Sequence, residues 1–192
     1  MLDFPSTAHD VRQLALELVG FLKKNINNTH PPRRNWNCQN FNLLEKFFGK
    51  EGLGLDYFPN DTEVEFRWDF VAYVPYRGNL LVAESEWDNR ELEGKFPELE
   101  RDFDKLLYAR SPLKLFMCRI GDPEHAERIR VRLQKNIEEN CTYYSPAEVF
   151  IVYCVWWTEE NGENRDIAYV SQIDGEPKYQ PIGGEKFEIA AK

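Results

Sequence analysis

One stretch, residues 63–87, constrains the fold more than any other part of the chain. Over 63–74 (EVEFRWDFVAYV), Val64, Phe66, Trp68 and Phe70 alternate with Glu65, Arg67 and Asp69. This is the period-2 signature of a strand with one face on a core. Residues 75–79 (PYRGN) supply turn chemistry, and 79–87 (NLLVAESEW) read as a second strand, apolar at its start and acidic at its end. Side chains two apart on a strand point the same way, so Glu84 and Glu86 share a face. A two-residue turn at Arg77-Gly78 puts Val71 opposite Glu84 and Asp69 opposite Glu86. Moving the turn to Gly78-Asn79 changes the partners and keeps all three acids on one face, provided no bulge intervenes.

Around this hairpin the chain alternates helices and strands. Ser6 or Thr7 can cap a first helix to about residue 27, with Val11, Leu14, Ala15, Leu18, Val19 and Leu22 at helical spacing. The segment 30–37 (HPPRRNWN) breaks the chain, a short helix follows over 41–48, and Gly49, Gly52 and Gly54 open an irregular loop. A helix is expected over 97–109 and a strand over 113–120. Asp122 then caps a helix with Pro123 at its first position. Strands are expected over 149–157 and 167–173, joined by the turn ENGEN. Helices between strands predict an α/β fold with a central mixed sheet flanked by helices. The 192 residues suit one domain, 1–192, with its core at about 40–157 and a helical segment over 1–48.

Composition narrows the function classes. The net charge of −9 argues against a protein that coats nucleic acid non-specifically, while leaving room for a local basic patch. No apolar run approaches the roughly 20 residues that span a bilayer, and the first residues lack a secretion signal. The expected setting is therefore the cytoplasm, with no membrane partner. Cys38, Cys118, Cys141 and Cys154 are scattered without a C-x-x-C pair, and buried, reduced thiols are the expectation.

Carboxylates facing each other across a ladder repel, and near an apolar run such as LLVA water relieves less of that repulsion. Either one acid holds a proton or a cation sits among them. Hard oxygen donors of this kind suit Mg²⁺ or Mn²⁺. The alternative is the solvated outer face of an amphipathic sheet.

Asp69, then Glu84-x-Glu86 at the end of the next strand, then a helix and a strand, resembles the PD-(D/E)XK restriction-endonuclease-like superfamily. The nearer likeness is to type II restriction enzymes with Glu-x-Glu in place of Glu-x-Lys. ESEWDN at 84–89 and ERDFDKLL at 100–107, with Arg-Asp near the start of the next helix, extend the likeness over about 63–120. Trp68 stands where the family has Pro, and Glu86 where it has Lys. The resemblance implies a restriction-endonuclease-like fold and hydrolysis of DNA phosphodiester bonds. Asp69, Glu84, Glu86 and the Ser85 carbonyl would serve as metal ligands, with Mg²⁺ or Mn²⁺ as cofactor. Glu86 would bind a second metal or orient the attacking water. Lys105, on the following helix, is the candidate replacement cation, weighed against a surface lysine beside Arg101 and Asp104.

Arg33, Arg34 and Trp36 are the candidate DNA contacts. Arg128, Arg132 and Lys135 share a helical face that reads as solvated. Glu17 and Glu45 are further helix carboxylates, each also read as solvated surface. His9, His30 and His125 lack metal-ligand spacing, and GKEGLGL at 49–55 lacks the Lys-Ser/Thr of a phosphate-binding loop. A catalytically inactive binding or regulatory module of the same fold is the competing expectation, and a homodimer is a candidate assembly.

Overall fold

Helix α1 (Ala8–Ile26) forms where the expected stripe lies, and Val11, Leu14, Ala15, Leu18, Val19, Leu22 and Ile26 are all buried along it. The structure is a computed structural model, and it describes residues 8–26, 36–49, 53–57, 68–86, 92–120, 123–140, 148–158, 163–172 and 180–182. The remaining described elements are α2 (Trp36–Phe48), β1 (Gly54–Tyr57), β2 (Phe70–Val74), β3 (Gly78–Glu86), α3 (Leu92–Leu107), β4 (Leu113–Arg119), α4 (Pro123–Asn140), β5 (Val149–Thr158), β6 (Glu163–Gln172) and β7 (Gln180–Ile182).

The strands form one mixed sheet in sequence order, β1-β2-β3-β4-β5-β6-β7. β3, β4 and β5 run parallel, and the other neighbours pair antiparallel. The parallel pairs are linked through α3 and α4, as parallel neighbours require a crossover. β4 is buried on both faces from Leu113 to Cys118 and β5 from Val149 to Trp156, which explains why both runs are apolar apart from Lys114.

Strand parity sorts the core into two layers. Phe70, Ala72, Leu81, Ala83, Leu115, Met117, Ile151 and Tyr153 face the helices α1 and α2. Val71, Val82, Phe116, Cys118, Phe150, Val152 and Cys154 face α3 and α4, meeting Leu99, Phe103, Leu106, Ile129, Leu133 and Ile137. Phe103 holds α3 down, edge-on to Phe116 at 5.7 Å between centroids. The result is the expected α/β architecture, a mixed sheet between helical layers.

Two buried ionic contacts tie the layers. Lys114 reaches Glu148 at 2.7 Å and the Leu107 carbonyl at 3.4 Å, over the Phe150 ring. On the other face the buried Tyr153 hydroxyl bonds Asp166, which also meets Lys23 at 3.6 Å. Cys118 and Cys154, in register on β4 and β5, are buried and free with their sulfurs 3.6 Å apart, as expected for reduced thiols.

Several element bounds differ from the sequence expectation. The turn is neither proposed two-residue form. Val74 pairs with Gly78, the Arg77 amide donates to the Val74 carbonyl at 2.9 Å, and Tyr76 takes a positive φ of 64°. A bulge between Ala72 and Tyr73 leaves Leu80 outside the pairing, so that Phe70 pairs with Ala83. Both Leu80 and Leu81 are buried, and that burial rewards the irregularity. Gly54 belongs to an edge strand instead of the expected irregular loop, close against the Tyr73 ring with no room for a Cβ. α2 starts at Trp36 within the expected break, and α3 starts at Leu92, ahead of Pro97. β6 begins at Glu163, within the expected ENGEN turn. The proposed Asp122 cap, Cys141 and residues 63–67 lie outside the described residues.

Candidate functional site

The sheet brings the three acids to one end. Asp69 stands immediately before β2, and Glu84 and Glu86 close β3. Val71 and Val82 belong to the layer facing α3 and α4, and by parity Asp69, Glu84 and Glu86 lie on that face too. The shared face is as the sequence predicts. The expected pairing is not, because the three-residue turn sets Val74 opposite Gly78 and the bulge at Leu80 moves the register back by one, leaving the strands two residues from the expected register. Continuing from Phe70–Ala83 puts Asp69 across from Glu84 and leaves Glu86 at the rim.

Asp69 is half-buried, and its Oδ2 accepts the Ser85 amide N–H at 2.8 Å. Burial raises its carboxyl to about 6. The Ser85 hydrogen bond and Lys105 oppose the rise, while Asp102 and Glu86 add to it. Glu84 is buried, and its Oε2 accepts from the Lys105 ammonium at 3.4 Å. Its Oε1 is also buried and has no hydrogen-bond partner among the described residues. Burial, with Asp69 beside it, pushes Glu84 up to about 9, even though Lys105 favours the charged form. At neutral pH Glu84 therefore holds a proton unless a further cation displaces it. Glu86 is half-buried and lies in register with Cys118.

Of the two expectations for Lys105, a cation reaching the site or a surface lysine beside Arg101 and Asp104, the structure has the first. Its ammonium bridges Glu84 and Asp102, the latter at 2.9 Å. Burial works against its charge, and its contacts with Asp102 and Glu84 outweigh that, leaving its pKa raised. The Trp68 indole donates to the Lys105 carbonyl at 3.3 Å, which fastens this part of α3 beside Asp69. Arg101 and Asp102 fall in the second half of α3, not near its start as the motif suggests, because the helix begins five residues earlier than expected. Asp102 is the site residue that sequence reasoning passed over. Its i,i+3 spacing to Lys105 is the signal that could have found it.

The donor set fits a hard divalent cation in kind: carboxylate oxygens, one of them buried and orphaned. As they stand, no three His, Cys, Asp or Glu side chains among the described residues are grouped closely enough to hold one ion. One Asp69 oxygen is committed to an amide and one Glu84 oxygen to an ammonium. Binding would therefore require Lys105 to withdraw or Glu86 to turn inward.

The other candidates are not brought to this cluster within the described residues. Arg33 and Arg34 lie outside them, as do residues 87–89 of ESEWDN. Trp36 is the first residue of α2, not a loop residue. Glu17 and Glu45 are exposed, as are Arg128, Arg132 and Lys135, and Lys135 pairs with Glu139. These match the solvated-face reading.

No protein-family model matches the chain, and no curated protein matches it. Five solved chains match. One, the central domain of yeast acetyl-CoA carboxylase, is similar at 10% identity and a TM-score of 0.33, over 71% of this chain and 25% of that one. The match thus spans about a quarter of that solved chain's length, and a likeness of this degree carries no argument about fold or activity. No helix among the described residues is long and apolar enough to cross a membrane.

Proposed function

We propose that this chain is a metal-dependent nuclease of the restriction-endonuclease-like class, hydrolysing DNA phosphodiester bonds. The observation that carries the reading is Glu84. A buried carboxylate lies beside Asp69 with one oxygen orphaned, and one ammonium serves Glu84 and Asp102 together. Such an arrangement is costly for folding alone, and clefts where burial and like charges shift pKa values are where functional groups concentrate. The order of elements adds support, since Asp69 precedes β2, Glu84-x-Glu86 ends β3, and α3 and β4 follow.

In this reading Asp69, Glu84 and Glu86, with the Ser85 carbonyl, hold Mg²⁺ or Mn²⁺. A bound ion would supply Lewis-acid polarisation of the phosphate and a lowered pKa for coordinated water. Glu86, at the rim, orients the attacking water. Lys105, released from Glu84, donates to a phosphate oxygen as negative charge develops there. Arg33, Arg34 and Trp36 are the proposed DNA contacts. The cytoplasm is the compartment this implies, and a homodimer the assembly to test.

The Lys105 contact favours a second reading, a catalytically inactive binding or regulatory module. There the ammonium permanently takes the metal's place, holding Glu84 by a hydrogen bond and balancing Asp102. Incubation with supercoiled plasmid in Mn²⁺ separates the two. The nuclease reading expects nicking that is lost in Glu84→Ala and in Asp69→Ala. Intact plasmid, with folded wild-type protein and saturating Mn²⁺, selects the module.

A further inference from the structure

The carboxylate end of the hairpin is gripped from the far side of the sheet by two consecutive residues of α2. Asn40, 1% exposed, donates from its Nδ2 to the Ser85 hydroxyl at 3.4 Å. Phe41 stacks on Phe70, the residue after Asp69, at 6.2 Å between centroids and 21° between planes. Ser85 lies between Glu84 and Glu86, and its amide holds the Asp69 carboxylate. A chain of hydrogen bonds therefore runs from α2 through β3 to Asp69, crossing the sheet at the one residue that separates the two glutamates. A buried amide side chain carries a desolvation cost that an apolar residue at the same point would avoid. Its neighbours Leu43, Leu44 and Phe48 show that apolar residues fill the rest of this face.

We infer that Asn40 is a positioning residue, which fixes Ser85 and so sets the spacing between Asp69 and the two glutamates. The inference deepens the metal-site reading and rests on it for the consequence in cation affinity. Groups that orient ligands in this way are worth about 10–100-fold in metal affinity.

The test compares full-length wild type, Asn40→Ala, Ser85→Ala and the double variant in two measurements. The first is amide hydrogen exchange at residue 85, which needs no metal. The second is the Mn²⁺ concentration giving half of the maximal thermal stabilisation. The expected result is exchange about tenfold faster in each single variant and a Mn²⁺ midpoint about tenfold higher. The double variant should be no worse than either single one, because both break the same link. Wild-type exchange at residue 85 in Asn40→Ala would overturn the inference, and so would losses that add in the double variant. Should Asn40→Ala fail to fold, Ser85→Ala keeps the test in force. It retains the backbone N–H, so unchanged exchange there also overturns the inference. A wild type that ignores Mn²⁺ removes the metal reading alone, and the exchange measurement then decides the role of Asn40 by itself.

Discussion

At the scale of single residues, Glu84 is the group whose surroundings ask most of the fold. With its carboxyl raised to about 9 by burial and Asp69, the folded chain must keep a proton that the unfolded chain releases near its ordinary pKa. Glu84→Gln keeps the shape without that requirement. It should stabilise the metal-free protein by about 1–2 kcal/mol at pH 8, and by nothing measurable below pH 4, in urea unfolding. The same variant should lose any response to Mn²⁺. That three acids would share a face was legible from the alternation in 63–87. Which of them would stand opposite was not, because nothing in the sequence marks the three-residue turn over 75–77 or the bulge at Leu80 that together set the register. Lys105 was legible as a candidate cation, but its bridge between Glu84 and Asp102 was not. That bridge depends on the axial position of α3, and the period of Phe103, Leu106 and Leu107 fixes only which face is buried.

At the scale of elements, the β2–β3 turn has a residue unsuited to it. The Val74–Arg77 hydrogen bond with Pro75 second and a positive φ at the third position describes a type II turn, which favours Gly or Asn there. Tyr76 occupies that position fully exposed, with no burial to offset the left-handed conformation. Tyr76→Asn should raise the urea midpoint, by about 1 kcal/mol of stability, with no change in Mn²⁺ response. In α3, Phe103 packs on Phe116 and Phe150. Phe103→Ala should cost about 3–5 kcal/mol and loosen the helix that carries Asp102 and Lys105. The largely apolar segments of β4 and β5 marked them as strands of a mixed sheet, and their parallel pairing follows from the helices between them. β1 is not legible because its four residues, GLDY, are too few to establish a period and follow a run of glycines.

At the scale of the whole molecule, the raised carboxyls set a direction for pH. Asp69 and Glu84 both bind protons more tightly in the folded chain than in the unfolded one. Their contribution to stability is full below about pH 4 and is lost as pH rises, first through about 6 and then toward 9. The metal-free protein should therefore melt at a lower temperature at pH 8 than at pH 5. Mn²⁺ competes with those protons, so its stabilising effect should grow over the same interval, with proton release seen by calorimetry in buffers of different ionisation enthalpy. The same pair of glutamates that burdens folding is, in this account, the pair that holds the ion.

The most direct measurement is the melting temperature of wild type and Asp69→Ala across a Mn²⁺ titration at pH 8. A ligand that binds only the folded form stabilises it by mass action. The account predicts a saturable rise in wild type, by several degrees, that is absent in Asp69→Ala. Matching curves for the two proteins, flat or rising, would contradict it.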